Sequence, residues 1–421
     1  MILRKGKKNI NFKDTSKVSL LFCVLTSFIT YSFDKNYPFF NALTVSELFG
    51  GVGILLFLMD NNKTILEYIR TTDVVYLYAF LLLIACSLSI FVTLDLTNTS
   101  IAISKFVYLI TLSVVLYHIF LNALILFIKT IIVTFFLMIF IGFYDFIALH
   151  LSLMTFFPNV TDKYFVSGFR MFAQVGDYTY CFLAFLVPFQ FSNFSLMLSL
   201  QWRLFLRVCV FLGVIFLVGT IRVSAIFSFG IGFLLWMICF FDLKRIKQFL
   251  PEGCLFFLAL LVMKLQFSTL YNLLWHRLEA RIFHRDPNSP ESSFIIVNFK
   301  YAIKFFRKNP FFGNGLGNGE IPVYNVEIHG TYLKLLAETG IVGLFFYFLF
   351  LKAISHKIYS KIRKNINFEH DFFNHYMPFF FSSLVMWFYD FHLRKKEFWI
   401  ILALILIIVK FNKNNEQLVS K

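Results

Sequence analysis

Long apolar runs follow one another along almost the whole chain, and they limit its fold more than any other feature. They fall near 18–36, 39–59, 74–94, 100–117, 122–147, 171–191, 204–220, 223–241, 252–270, 331–351, 372–390 and 397–410. Most reach the roughly 17–25 residues that a helix needs to cross a bilayer. Inside lipid a helix satisfies all its backbone groups within its own segment, so runs of this kind cross as helices. Charged residues make up 15% of the chain, against roughly a quarter in soluble domains. The chain reads as an all-α polytopic membrane protein of about twelve transmembrane helices. Lipid-facing surface accounts for most of its 61 Phe and 19 Tyr, leaving a few at most to stack on sugar or isoprenoid.

The net charge is +16. In a membrane protein such an excess marks cytoplasmic loops and not nucleic-acid binding. Arg4, Lys5, Lys7, Lys8, Lys13 and Lys17 place the N-terminus in the cytoplasm. Counting through the runs, Lys63/Arg70, Arg203, Lys244/Arg245/Lys247, Lys352/Lys357/Lys361/Arg363/Lys364 and the C-terminal Lys410, Lys413 and Lys421 all fall on that side. The same count sends 148–170, 219–224, 271–330 and 391–396 outward. The organisation is then nine spans over 1–270, one large outer loop over 271–330, and three spans with a cytoplasmic tail over 331–421. No small-residue cleavage site follows the first apolar run, which reads as a retained span. The six cysteines lie in or beside apolar runs without CxxC spacing, so neither a disulfide framework nor a metal site is expected. Within the outer loop, Ile295, Ile296, Phe299, Ala302, Ile303 and Phe306 follow helical spacing, with Lys300, Lys304, Arg307 and Lys308 mainly elsewhere around the helix. That predicts an amphipathic helix in the membrane interface, ended by Asn309-Pro310.

Chemistry concentrates in Asn309–Gly343, NPFFGNGLGNGEIPVYNVEIHGTYLKLLAETGIVG. The alternating Gly313, Gly315, Gly317 and Gly319 form either a tight turn back to the membrane or a set of N–H groups open to a diphosphate or sugar. No strand precedes them and no Gly-Lys-Ser/Thr follows, which excludes Rossmann and P-loop readings. His329 stands directly before a helix, with Tyr332 one turn on, and an imidazole is a side chain suited to accepting a proton. Glu338 either serves a substrate or pairs with Lys334 four residues earlier. Arg170, Arg222, Arg277, Arg281, Arg285 and Arg394 lie on the outer side against the usual charge bias. Each either snorkels to lipid headgroups or, converging with others, clamps a diphosphate with its planar fork.

At these residues the chain resembles the O-antigen ligase/O-antigen polymerase superfamily of bacterial inner-membrane proteins. NPFFGNGLGN, His329 and YLKLLAETGIVG are similar to the family's Asn-Pro-x-x-Gly-x-Gly loop, histidine and Glu-x-Gly-x-x-Gly helix. TIRVSAIFSFGIG looks like its Ser-Arg-Gly-Ala helix start, with Arg222 at the arginine. RMFAQVGDYTYCFLAFLVPF looks like its mid-chain span, and Arg394 with Phe398-Trp399 fits its closing segment. Val223, Gly330 and the Gln174–Tyr178 turn depart from the pattern.

The resemblance implies transfer of an undecaprenyl-diphosphate-linked oligosaccharide to an acceptor glycan or lipid A-core at the periplasmic face. No cofactor, metal or nucleotide sugar is implied, and a chain-length regulator protein is an expected partner beside membrane lipids. Arg222 with Arg281 or Arg277 would hold the diphosphate, Arg170 would assist, and His329 would orient or deprotonate the acceptor. Tyr332, Glu338, Gly315 and Gly317 are further substrate-binding candidates. Polymerase is preferred over ligase. A flippase has the same hydropathy but needs related halves, and no internal repeat is found. A membrane O-acyltransferase would need a deeper histidine.

Overall fold

A computed structural model describes residues 12–29, 44–60, 73–150, 153–154, 175–220, 222–240, 261, 264–265, 272, 290–321, 326–363 and 368–411. Among these residues there are twelve α-helices: α1 Phe12–Leu25, α2 Val45–Asp60, α3 Val74–Leu88, α4 Leu96–Phe120, α5 Leu124–His150, α6 Val175–Phe191, α7 Leu200–Gly219, α8 Val223–Cys239, α9 Pro290–Lys308, α10 Thr331–Arg363, α11 Phe368–Tyr389 and α12 Lys396–Lys410. Short 3-10 turns cover Ser89–Val92, Asn193–Met197 and His392–Arg394. One two-residue hairpin pairs Glu320–Ile321 with Val326–Glu327. This is a helical membrane protein. Five helical stretches are long and apolar enough to cross a membrane, namely Val74–Val92, Leu96–Phe120, Leu124–Asp145, Leu200–Gly219 and Thr331–Arg363, and Val45–Met59 and Val223–Cys239 are shorter apolar helices. The helix count matches the expected number of spans by coincidence. α9 is the amphipathic helix expected before Asn309-Pro310, not one of the expected spans, and most of the run at 252–270 lies outside the described residues.

α12 is the hub. Every residue from Trp399 to Val409 is buried, as expected of a helix that is apolar all round. It packs on α4 and α6. The Ser113 hydroxyl donates to the Trp399 carbonyl at 2.8 Å, and Tyr76 reaches Ser113 at 2.9 Å, a polar tie of the kind that holds helices together where apolar surface gives no preference.

The two ends of the bundle sort the loops. At one end Asn318 Nδ2 donates to Thr93 (2.6 Å) and Thr99 (3.1 Å), Lys396 Nζ donates to Thr44 (2.8 Å), Arg222 pairs with Asp177 (2.6 Å), and Arg394 pairs with Glu327. At the other, Lys357 pairs with Asp73 (2.9 Å) and the Asn193 N–H donates to Asp371 (2.6 Å). The described segments that charge counting sends outward, including Arg222, 309–321, 326–330 and 391–396, therefore meet at one end.

The spacing predicts an unbroken tenth span, but α10 breaks at Gly340 (φ 66°, ψ −162°). A helix break exposes carbonyls on one side and N–H groups on the other, and a membrane offers them nothing. The Asn309–Gly319 loop fills the gap. Asn314 donates to the Ala337 carbonyl through its backbone (3.2 Å) and its side chain (3.0 Å), and the Gly315 N–H donates to the Glu338 carbonyl (3.0 Å). Across the break, the Pro310 and Phe311 carbonyls accept from Ile341 (2.9 Å) and Val342 (3.3 Å). A Cβ at Gly313 would strike the Glu338–Thr339 peptide, and one at Gly340 the Phe311 carbonyl. The glycines thus permit two backbones to interlock.

Candidate functional site

The first turns of α10, Thr331–Thr339, present one face to the glycine loop. The Glu338 carboxylate is 1% exposed and accepts from the N–H of Gly317 (2.9 Å) and Gly319 (3.0 Å). These amides and that of Gly315 are therefore used inside the protein, and the loop cradles its own carboxylate. Lys334, also buried, lies 3.6 Å from Glu338 and pairs with Glu327, which Arg394 holds from the other side. Glu338 thus faces Lys334 within the fold, and the N–H groups of Gly315 and Gly317 bond to Glu338.

Burial alone raises the Glu327 carboxyl, but Arg394 and then Lys334 outweigh it and bring its pKa down to about 2 from an ordinary 4.5. A carboxyl whose folded pKa is depressed stabilises the fold above its unfolded value and loses that contribution as pH falls through the folded one. Wild type and Glu327→Gln are therefore expected to differ most in thermal stability at neutral pH, with the gap closing between about pH 4.5 and about pH 2. The side chain is 45% exposed, so solvent screening keeps the gap modest. A gap that widened on acidification would contradict the pairing.

His329 is exposed and held by its backbone. Asn298 of α9 accepts its N–H (2.9 Å) and donates to its carbonyl (3.0 Å). The amphipathic helix is thereby fixed to the site, with Ala302 buried against Ile328 and Ala337, and with Lys300, Lys304, Arg307 and Lys308 outward. His329 Nδ1 lies 2.7 Å from the Glu327 carbonyl. A carbonyl only accepts, so Nδ1 carries a proton and the neutral ring has its lone pair on Nε2. A ring oriented in this way can take a proton from a hydroxyl. The Tyr332 hydroxyl donates to the Leu384 carbonyl at 3.2 Å and its ring packs on Phe388 at 4.4 Å, joining α10 to α11.

Arg222 sits at the start of α8, 2.6 Å from Asp177 of α6 and 3.7 Å from Asp390 just after α11. Lys395 pairs with the same two carboxylates, at 2.7 Å for Asp177. Burial raises the Asp390 carboxyl, yet Lys395 and Arg222 bring it below its ordinary value. Burial alone lowers Lys395, and Asp390 and Asp177 more than restore it, so its pKa is raised. Arg222 and His329 are connected through one short segment. The Asp390 carbonyl accepts from the Thr331 hydroxyl (2.7 Å), two residues from His329, and Arg394 pairs with Glu327, whose carbonyl holds the His329 ring. Next to Thr331, His392 Nδ1 is 2.9 Å from the Thr331 hydroxyl. Burial pushes the His392 pKa well below its ordinary value, so its imidazole is neutral.

Of the sequence candidates, Arg222, His329, Tyr332, Glu338, Gly315 and Gly317 are at this end of the bundle. Arg170, Arg277, Arg281 and Arg285 lie outside the described residues. Sequence reasoning passed over Asp177, Asp390, Lys395, Thr331 and Asn298. The signal for three of them was present: Asp177, Asp390 and Lys395 are ionisable residues at the ends of apolar runs, where they need partners.

No curated protein matches the chain significantly. A family model described as O-antigen ligase matches residues 208–348. That stretch runs from α7 through Arg222, α9, the glycine loop and His329 to the middle of α10. The segment that interlocks around Gly340 and carries both Arg222 and His329 is thus the matched one, and over these residues, about a third of the chain, it is similar to the O-antigen ligase family.

Proposed function

We propose that the protein is a glycosyltransferase that moves an undecaprenyl-diphosphate-linked glycan onto an acceptor sugar hydroxyl at the periplasmic face. What supports this reading is an indirect link between Arg222 and His329, both within the matched segment: Arg222 lies 3.7 Å from Asp390, whose carbonyl accepts from Thr331, two residues after His329. His329 Nε2 accepts the hydroxyl proton as the acceptor oxygen bonds to the anomeric carbon. The bond from that carbon to the diphosphate oxygen breaks, and the leaving diphosphate takes the electron pair. Arg222, with Arg281 or Arg277 and assisted by Arg170, stabilises the charge it gains. Such electrostatic stabilisation usually contributes most to catalysis, at about 10²–10³ for one donor, and general base catalysis adds about 10²–10⁴. α9 covers the site and guides the isoprenoid. Both termini are cytoplasmic and the membrane is the bacterial inner membrane.

His329→Ala and Arg222→Ala are each expected to shorten or abolish surface polysaccharide while the protein remains in the membrane. Unchanged polysaccharide in both variants would overturn the reading. Polymerase is preferred over ligase, because many polysaccharide systems need one and few need the other. Deletion of the gene separates them: lipopolysaccharide with a single repeat marks a polymerase, and core-only lipopolysaccharide with long lipid-linked chains marks a ligase.

A further inference from the structure

The guanidinium assigned to the donor diphosphate is engaged by two carboxylates, Asp177 at 2.6 Å and Asp390 at 3.7 Å. An anion approaching Arg222 meets those carboxylates as well as the arginine. Lys395 is the second cation of the group, 2.7 Å from Asp177 and paired with Asp390. The side chains of Asp177 and Asp390 are 5% and 14% exposed, and those of Arg222 and Lys395 are 28% and 21% exposed. Two positive and two negative groups thus share one half-buried site at the outer end of α6, α8, α11 and α12. Glu397 and His392 line the adjoining cavity of about 60 Å³ with Asp177, Asp390 and Lys395. The His392 ring is neutral, and the Glu397 carboxyl oxygens are buried without a protein hydrogen bond.

Building on the proposed function, we infer that Lys395 is a positioning residue for the donor: it neutralises Asp177 and Asp390 so that Arg222 can turn its guanidinium to the diphosphate. Without Lys395 one arginine faces two carboxylates, the group carries a net charge of about −1, and an anion is repelled. With Asp177 also neutralised the balance returns. With Asp177 alone neutralised the group is net positive, and the anion binds better than to wild type.

The test titrates undecaprenyl diphosphate into the full chain held in phosphatidylcholine nanodiscs. Lys395→Met is expected to weaken binding about tenfold or more, the scale of one unit of nearby charge. Asp177→Asn/Lys395→Met returns close to wild type, and Asp177→Asn binds more tightly than wild type. Merely structural damage moves all three in the same direction, so the rise in Asp177→Asn and the rescue in the double variant separate the two cases. Lys395→Met binding as wild type does, or a double variant no better than Lys395→Met, overturns the inference. Where Lys395→Met does not fold, Asp177→Asn decides alone, and binding equal to or weaker than wild type overturns it. Arg222→Ala separates this from the parent reading. Weakened binding in Arg222→Ala with a flat Lys395 series removes only the role of Lys395; undiminished binding and transfer in Arg222→Ala removes the proposed site itself.

Discussion

Gly340→Ala is expected to remove most folded protein from the membrane and to lower the melting temperature of what remains far more than Gly51→Ala or Gly230→Ala does. The residue has φ 66° and ψ −162°, a region that only glycine occupies readily and that costs a side chain about 1–3 kcal/mol. The added Cβ also meets the carbonyls of Phe311 and Pro310. Those are the acceptors for Ile341 and Val342, so relieving the collision leaves two N–H groups in lipid without partners, at about 1–3 kcal/mol each. Gly51 and Gly230 provide the comparison. Nothing lies within 4 Å of a Cβ at either position, and both are inside helices, where alanine is favoured by about 1 kcal/mol. Thermal unfolding of Gly340→Ala, Gly51→Ala and Gly230→Ala side by side checks the interlock. A Gly340→Ala protein that melts with the other two would show that the α10 break does not hold the loop.

The second large effect is at Glu338. Its carboxylate accepts from Gly317 and Gly319 and faces the buried Lys334. Glu338→Ala removes both acceptors and leaves the lysine to Glu327 alone. Truncating one member of a buried charged pair costs about 3–5 kcal/mol, enough to unfold a marginal protein. Glu338→Gln keeps one oxygen to accept and loses the charge, so it should fall between alanine and wild type. The informative comparison is stability against transfer. A substrate ligand would lose activity while the protein melted normally; the structural role predicts loss of fold first, with activity following the amount of folded protein. Normal melting of Glu338→Ala with transfer abolished would return Glu338 to the substrate.

These two residues also show how far the sequence could be read. The apolar runs and the arginine and lysine bias were enough for a helical membrane protein with the glycine loop, Arg222 and His329 at one end, because the bilayer imposes segment length and charge asymmetry directly. The break at Gly340 was not legible, since ETGIVG keeps helical hydropathy through it and the reason for it lies far upstream in Pro310 and Phe311. The glycine loop invited a phosphate reading because exposed N–H groups suit any anion, and nothing local says that the anion is the protein's own Glu338. Asp177, Asp390 and Lys395 are far apart in the chain, and their relation appears only when α6, α11 and α12 are packed together.

The order of those residues along the chain bears on how the protein is made. Asp177 is synthesised before Arg222, so the arginine has a counter-charge as soon as α6 and α8 stand side by side in the bilayer. Asp390 and Lys395 arrive later, five residues apart and already paired with each other, and they join the group without changing its net charge. No stage of insertion after α8 need leave this cluster with an unbalanced charge, and the arginine acquires its final setting only as the last helix docks.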